Sequence, residues 1–119
     1  MEKINYELNC LWGKYTINIE FDDSKVIFNT HSDIDNFIDK DIEIASKDFL
    51  KLIQKANIKK WISNNKQLIE DGTSWILKYE TNNQIIVIKG VEGDWPYGFN
   101  YFEDALSLID DDYLKLRVI

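Results

Sequence analysis

The sequence predicts an α+β protein in which an antiparallel sheet of about five or six strands carries two main helices, in the order βββα-ββα(β). Three features of the 119 residues favour this class. Several short runs alternate apolar and polar residues, two segments have the spacing of an amphipathic helix, and most connections have hairpin length. The length fits a single domain, residues 1–119.

The first part of the chain predicts an antiparallel meander. Residues 4–12 and 15–21 carry apolar side chains at alternate positions, which is typical of half-buried strands, and residues 26–30 are predicted to return as a third strand. Short polar turns connect them. Residues 31–45 combine acids with large apolar residues, and we expect an irregular or partly helical connection there.

A helix and two further strands are predicted next. Ser46 is expected to cap a helix that ends near Asn57, with lysines on the face opposite its apolar stripe. Residues 58–66 are expected to add a short helical turn or loop. Two strands follow, at 74–80 and 85–88, and the second is apolar on both faces, which favours a central place in the sheet.

The last part of the chain predicts a second helix and an edge strand. Asn100 and Glu103 have the spacing of a capping box at the start of this helix, and Asp110 to Asp112 are expected to end it. Residues 113–119 alternate again, so they are predicted to add an edge strand or to pair with a second copy in a homodimer.

The charge balance and the cysteine count of the sequence disfavour several classes of function. The 21 acidic and 14 basic residues give a formal charge of −7, which disfavours direct binding to nucleic acid or an anionic membrane and favours a basic protein partner. The alternative is that the charge only keeps the protein soluble. One cysteine, no signal-peptide pattern and no run of roughly 20 apolar residues predict a cytoplasmic protein.

Reactive residues are too few to predict an enzyme. His31 is the only histidine, and Cys10 falls on the apolar side of the first strand, where a core role is expected. The acids lack the glycine and closing glutamate of a calcium loop, and no phosphate-binding loop is present. We therefore expect no catalytic residues, no metal and no cofactor.

Exposed acids and aromatic residues are the predicted partner-binding residues, since such side chains steer and hold protein partners. The interpretation left open is that the acids only solvate the outer face and that Trp95 packs over the sheet end. Trp12, Trp61 and Trp75 are expected in the core or at its rim. The predicted binding residues are Asp33, Asp35, Asp39, Asp41, Glu43, Trp95, Tyr97, Asp110, Asp111 and Asp112.

Roughly the last 50 residues resemble a group of uncharacterised small bacterial proteins. The resemblance rests on Asp71-Gly72-Thr73-Ser74-Trp75, a hairpin, the loop from Gly93 to Phe99 and a closing helix. That group has an Asp-Gly-Thr-x-Trp start and a Tyr-Pro-x-x-Phe-like loop, from which Trp95-Pro96-Tyr97 departs in order. The likeness implies a bacterial domain.

In its small size, acidity and low cysteine content, the chain is also similar to immunity proteins of bacterial toxin systems, including contact-dependent growth inhibition. This likeness implies a cytoplasmic protein that neutralises a basic toxin domain, commonly a nuclease. Two alternatives stay open: a phage-encoded inhibitor of the anti-CRISPR type that acts through an acidic surface, and a small enzyme that uses a carboxylate pair.

Overall fold

The computed structural model describes residues 1–45, 47–61, 73–91 and 95–116. Its fold is α+β, with one six-stranded antiparallel sheet and two main helices, as predicted. The strands are β1 (Glu2–Cys10), β2 (Gly13–Phe21), β3 (Lys25–Ser32), β4 (Asp41–Ala45), β5 (Ser74–Glu80) and β6 (Ile85–Val91). The helices are α1 (Lys47–Ala56) and α2 (Phe99–Ile109), with short 3₁₀ helices at Ile58–Lys60 and Asp111–Leu116.

The sheet has the order β4-β3-β2-β1-β5-β6, and every neighbouring pair is antiparallel. Period-two alternation sends one set of side chains into the core, for example Ile4, Tyr6 and Leu8 of β1. The helices cover this face, with Phe49 of α1 and Phe102 of α2 both buried. On β1 and β2 the opposite face is polar, which explains the clean alternation of these two strands in the sequence.

Residues 31–45 were expected to be irregular or partly helical, and this prediction is wrong for Asp41–Ala45. That segment forms β4, which pairs with β3 from Lys25↔Ala45 to Asn29↔Asp41. Ile42 and Ile44 alternate with Asp41 and Glu43, so the segment has the period of a strand, and pairing with β3 fixes its register.

The prediction that the strand beginning at Ile85 is central is also wrong. β6 lies at one end of the described sheet, and Ile85 is 64% exposed. β1 is central instead, because it pairs with both β2 and β5. The apolar run that begins at Ile85 therefore did not predict the position of this strand in the sheet.

The start of α2 and the tail also differ from expectation. Gly98, with φ 92°, precedes Phe99, and no side chain caps the helix, so the capping-box role of Asn100 is wrong. Residues 113–116 belong to a 3₁₀ helix rather than a strand. Its period of three places Tyr113 and Leu116 on one side, where both are buried.

Several expectations fall outside the described residues: the cap at Ser46, the turn or loop beyond Trp61, the strand at 117–119, and Asp71, Gly72, Gly93 and Asp94 of the bacterial resemblance. Within the described residues, no helix is long and apolar enough to cross a membrane.

An aromatic cluster joins the helices to the sheet. Trp61 and Trp75 meet edge to face, with ring centroids 6.1 Å apart, and Phe102 packs against Tyr6 at 5.0 Å. These contacts confirm that Trp61 and Trp75 are core residues. Trp12 was expected there too, but it is 68% exposed beside Leu11 at the β1–β2 turn, so that prediction is wrong.

Candidate functional site

The loop between β3 and β4 is held by two of the predicted binding acids. Asp33 accepts a hydrogen bond from the Lys14 backbone N–H at 2.7 Å. Asp39 accepts one from the Ser32 N–H at 3.1 Å and contacts His31 Nδ1 at 3.0 Å. The His31 contact, followed by the Ser32 hydrogen bond, lowers the pKa of the Asp39 carboxyl. These two acids therefore also have a structural role.

Asp110 was grouped with exposed acids, but its side chain is only 1% exposed. The Tyr15 hydroxyl donates to its carboxylate at 2.6 Å, and the Lys40 ammonium forms an ion pair with it. The oxygen that pairs with Lys40 also accepts the Asp112 N–H at 3.1 Å, which caps the 3₁₀ helix Asp111–Leu116. Burial, followed by the bond to Asp110, raises the pKa of Tyr15. The expected exposure of Asp110 is therefore wrong, because the folded chain supplies compensating partners.

Asp112 links the C-terminal acids to the β3–β4 loop. Its carboxylate accepts the Ile38 N–H at 3.1 Å and pairs with Lys40 at 3.2 Å and Lys115 at 3.1 Å. Partial burial opposes ionisation, but the Ile38 N–H and the ammonium groups of Lys115 and Lys40 outweigh it and lower the pKa of Asp112 to about 2. Two segments that are separate in sequence are thus brought together.

The other predicted acids project into solvent. Asp35, Asp41, Glu43 and Asp111 are exposed, and none forms an ion pair with another residue that the structure describes. Large apolar side chains accompany them, because Ile38 is 71% exposed and Ile42 is also exposed. We call Asp35, Ile38, Asp41, Ile42 and Glu43 the β4 rim. It lies along and beside the terminal strand β4.

The predicted aromatic residues divide into two groups. Trp95 is 42% exposed but stacks on Phe99, with centroids 4.7 Å apart, and on Trp75 at 6.3 Å. It therefore packs over the end of the sheet while keeping one part in solvent. Tyr97 is 97% exposed. Leu11 and Trp12 form another exposed pair, which sequence reasoning missed because alternation placed Trp12 in the first strand.

Within the described residues, His31, Ser32 and Cys10 do not come together in a catalytic arrangement. His31 contacts Asp39, but the nearby Ser32 hydroxyl donates to the Lys14 carbonyl at 3.0 Å and accepts the Ile34 N–H at 3.0 Å. Cys10 is partly buried, with Sγ 3.4 Å from the Gly13 carbonyl oxygen. Among the residues that the structure describes, no three side chains are grouped so that they could hold a metal ion. The arrangement holds the β3–β4 loop and offers no assembled nucleophile and base.

A polar depression of about 480 Å³ lies on the open face of the sheet. It contains Asn5 and Asn18 side by side on β1 and β2, and their amides bond to each other, with Asn18 donating onward to Asn29 at 3.0 Å. Lys78 and Glu80 at its border form an ion pair of 2.9 Å. Its polar groups satisfy one another, as is common for a solvated sheet face.

The comparisons with known proteins do not assign this chain to a family. No protein-family model matches it, and no curated protein matches it either.

Proposed function

We propose that this chain is a protein-binding domain of the bacterial toxin-immunity type, which binds a basic toxin domain in the cytoplasm through an acidic surface centred on the β4 rim. The proposal is supported chiefly by one observation. Asp35, Asp41 and Glu43 are exposed without ion pairs in the described structure, and they stand beside exposed Ile38 and Ile42.

Acids and apolar side chains have complementary parts in such a surface. Exposed carboxylates raise the rate of encounter with a basic partner, whereas buried apolar contacts slow its release. The net charge of −7 acts in the same direction at long range. Internal ion pairs already use Asp110 and Asp112, so the β4 rim is the better candidate for the contact.

The position of β4 also favours binding by strand addition. It is a terminal strand of the described sheet, so a basic strand of the partner can align beside it. Asp41 and Glu43 lie two residues apart and project from the same face. A strand with basic residues at alternate positions would place a cation near each carboxylate.

Two charge-matched variants test the proposal. The partner is first isolated from the source organism with the wild-type protein as bait and then purified. Asp41→Asn/Glu43→Gln and the control Glu7→Gln/Glu80→Gln change the net charge equally. At low ionic strength we expect the first variant to associate about tenfold more slowly and the control to change little. The difference should shrink in high salt.

Stopped-flow or surface-based kinetics give the measurement. Equal association rates for the two variants would remove the β4 rim as the binding site. Isolation of a partner that is acidic, or that lacks toxin activity when expressed without this chain, would contradict the immunity function itself.

A further inference from the structure

A second surface is basic, whereas the β4 rim is acidic, and it has no part in the proposed function. It is a cleft of about 390 Å³ between the C-terminal end of α1 and the loop that precedes α2. We call it the Lys55–Tyr97 cleft. Its walls are formed by Lys55, Asn57, Lys60, Trp61, Pro96 and Tyr97.

The core holds this cleft in shape. Trp61 is buried, and its indole N–H donates to the Ala56 carbonyl at 2.8 Å. Gly98 lies so close to α1 that a Cβ there would be 2.5 Å from the same Ala56 oxygen. The Phe99 N–H donates to the Pro96 carbonyl at 3.0 Å. Both walls are therefore fixed before any ligand binds, which lowers the entropic cost of binding.

Its exposed groups are suited to a ligand that is both anionic and partly apolar. Tyr97 is almost wholly exposed, although a large aromatic side chain gains free energy by burial. Lys55 and Lys60 are exposed beside it and form no ion pair with the described residues. The Lys55 ammonium lies 5.8 Å from the centre of the Tyr101 ring, which keeps it close to the cleft.

A row of lysines extends from the cleft along α1. Lys47, Lys51 and Lys55 recur every fourth residue along α1, and Lys59 follows in the separate 3₁₀ helix Ile58–Lys60; all four are exposed. With Lys60 they make five of the chain's 14 basic residues within a segment that holds one acid, Asp48. A four-residue step along a helix is about 6 Å. Two residues of an extended peptide span about 6.6 Å, so carboxylates at alternate positions match the lysine spacing.

We propose that the lysine row and the Lys55–Tyr97 cleft bind an extended acidic peptide segment of another protein. Its alternate carboxylates pair with Lys47, Lys51 and Lys55 of α1, and an adjoining apolar residue packs between Tyr97 and Trp61. The net charge of −7 opposes a long polyphosphate more strongly than a peptide with three carboxylates, which favours the peptide over nucleic acid. This proposal does not depend on the β4 rim, since the two surfaces share no residue.

Fluorescence anisotropy tests it with a fluorescein-labelled Glu-Ser-Glu-Ser-Glu-Pro-Leu peptide at low salt. Lys55→Gln/Lys60→Gln should weaken binding about tenfold or more, and Tyr97→Ala should weaken it about fivefold, a loss of about 1 kcal/mol. The control Lys3→Gln/Lys78→Gln removes the same charge from the open sheet face and should change the affinity less than twofold. Circular dichroism confirms that each variant is folded.

Four outcomes of the peptide experiment would overturn the proposal. They are the absence of saturable binding up to about 1 mM protein, an equal loss in the Lys3/Lys78 control, tighter binding of an eight-residue oligothymidylate, and unaltered affinity in Tyr97→Ala. Sedimentation of the free protein decides whether a second copy is the occupant, because Asp39, Asp41 and Glu43 also alternate. Self-association that Lys55→Gln/Lys60→Gln abolishes would replace the peptide by a second copy and also overturn it.

Discussion

Asp110 and the β4 rim use the same chemical group in opposite ways. The Asp110 carboxylate is buried and bound by Tyr15 and Lys40, whereas Asp41 and Glu43 project into solvent without an ion pair in the described structure. A carboxylate withdrawn from water is stable only with such partners, and those partners come from β2 and the β3–β4 loop. The first group therefore holds the fold together, and the second is free to act on another molecule.

The same contrast between buried and exposed carboxylates occurs within three consecutive residues. Asp110 is buried, Asp111 is exposed, and Asp112 is half-buried where it holds Ile38 and Lys40. An acid in a run of acids thus cannot be given a role from its neighbours in sequence. Burial and bonding partners decide the role, and variants can test this at each position.

Removal of the Asp110 carboxylate should have the largest effect. Asp110→Ala leaves the Tyr15 hydroxyl without its acceptor and the Lys40 ammonium with Asp112 alone, so we expect the free energy of unfolding to fall by about 3 kcal/mol. Asp110→Asn, which keeps one acceptor, should cost less. Urea titration followed by circular dichroism measures both. The adjacent control Asp111→Ala should stay within about 0.5 kcal/mol of wild type, and an equal loss there would contradict the contrast.

The second-largest effect is expected from low pH, which should weaken the Asp112 contacts. The pKa of this carboxyl is about 2 in the folded protein, below its ordinary value of 3.8, so its contribution to stability is present above about pH 4 and is lost as the pH falls toward 2. Asp112→Asn lacks this contribution. The difference in unfolding free energy between wild type and Asp112→Asn should therefore be largest at pH 7 and shrink below pH 4. A constant difference would contradict the assignment. The other carboxylates titrate in both proteins, so their contributions cancel in the difference in unfolding free energy.

Much of the fold was predictable because strands and helices have characteristic local periods of apolar residues. Alternating residues identified β1, β2 and β5, the run that follows the turn at residues 22–25 identified β3, and the apolar stripe of Phe49, Ile53 and Ala56 identified α1. Strand order was not predictable in the same way. Whether β6 is central depends on which strands pair, and that information is spread over contacts distant in sequence.

The candidate site was predictable only in part, for a related reason. The sequence identified the acids, and Asp41 and Glu43 are indeed exposed. It gave no sign that Asp110 is buried, because Lys40 lies 70 residues away and Tyr15 lies 95 residues away. The Lys55–Tyr97 cleft was missed because its two walls come from segments that are distant in sequence and meet through tertiary contacts such as that of Gly98 with Ala56.

Exchange of the β4 rim acids should have the smallest effect on folding. Asp41→Ser/Glu43→Thr removes two exposed carboxylates, and in a chain of charge −7 this relieves repulsion. Threonine also suits a strand. We expect an unfolding free energy within about 0.5 kcal/mol of wild type in the same urea titration. A loss above about 1 kcal/mol would mean that these acids stabilise the fold, and slower partner association in the rim variants would then no longer separate binding from folding.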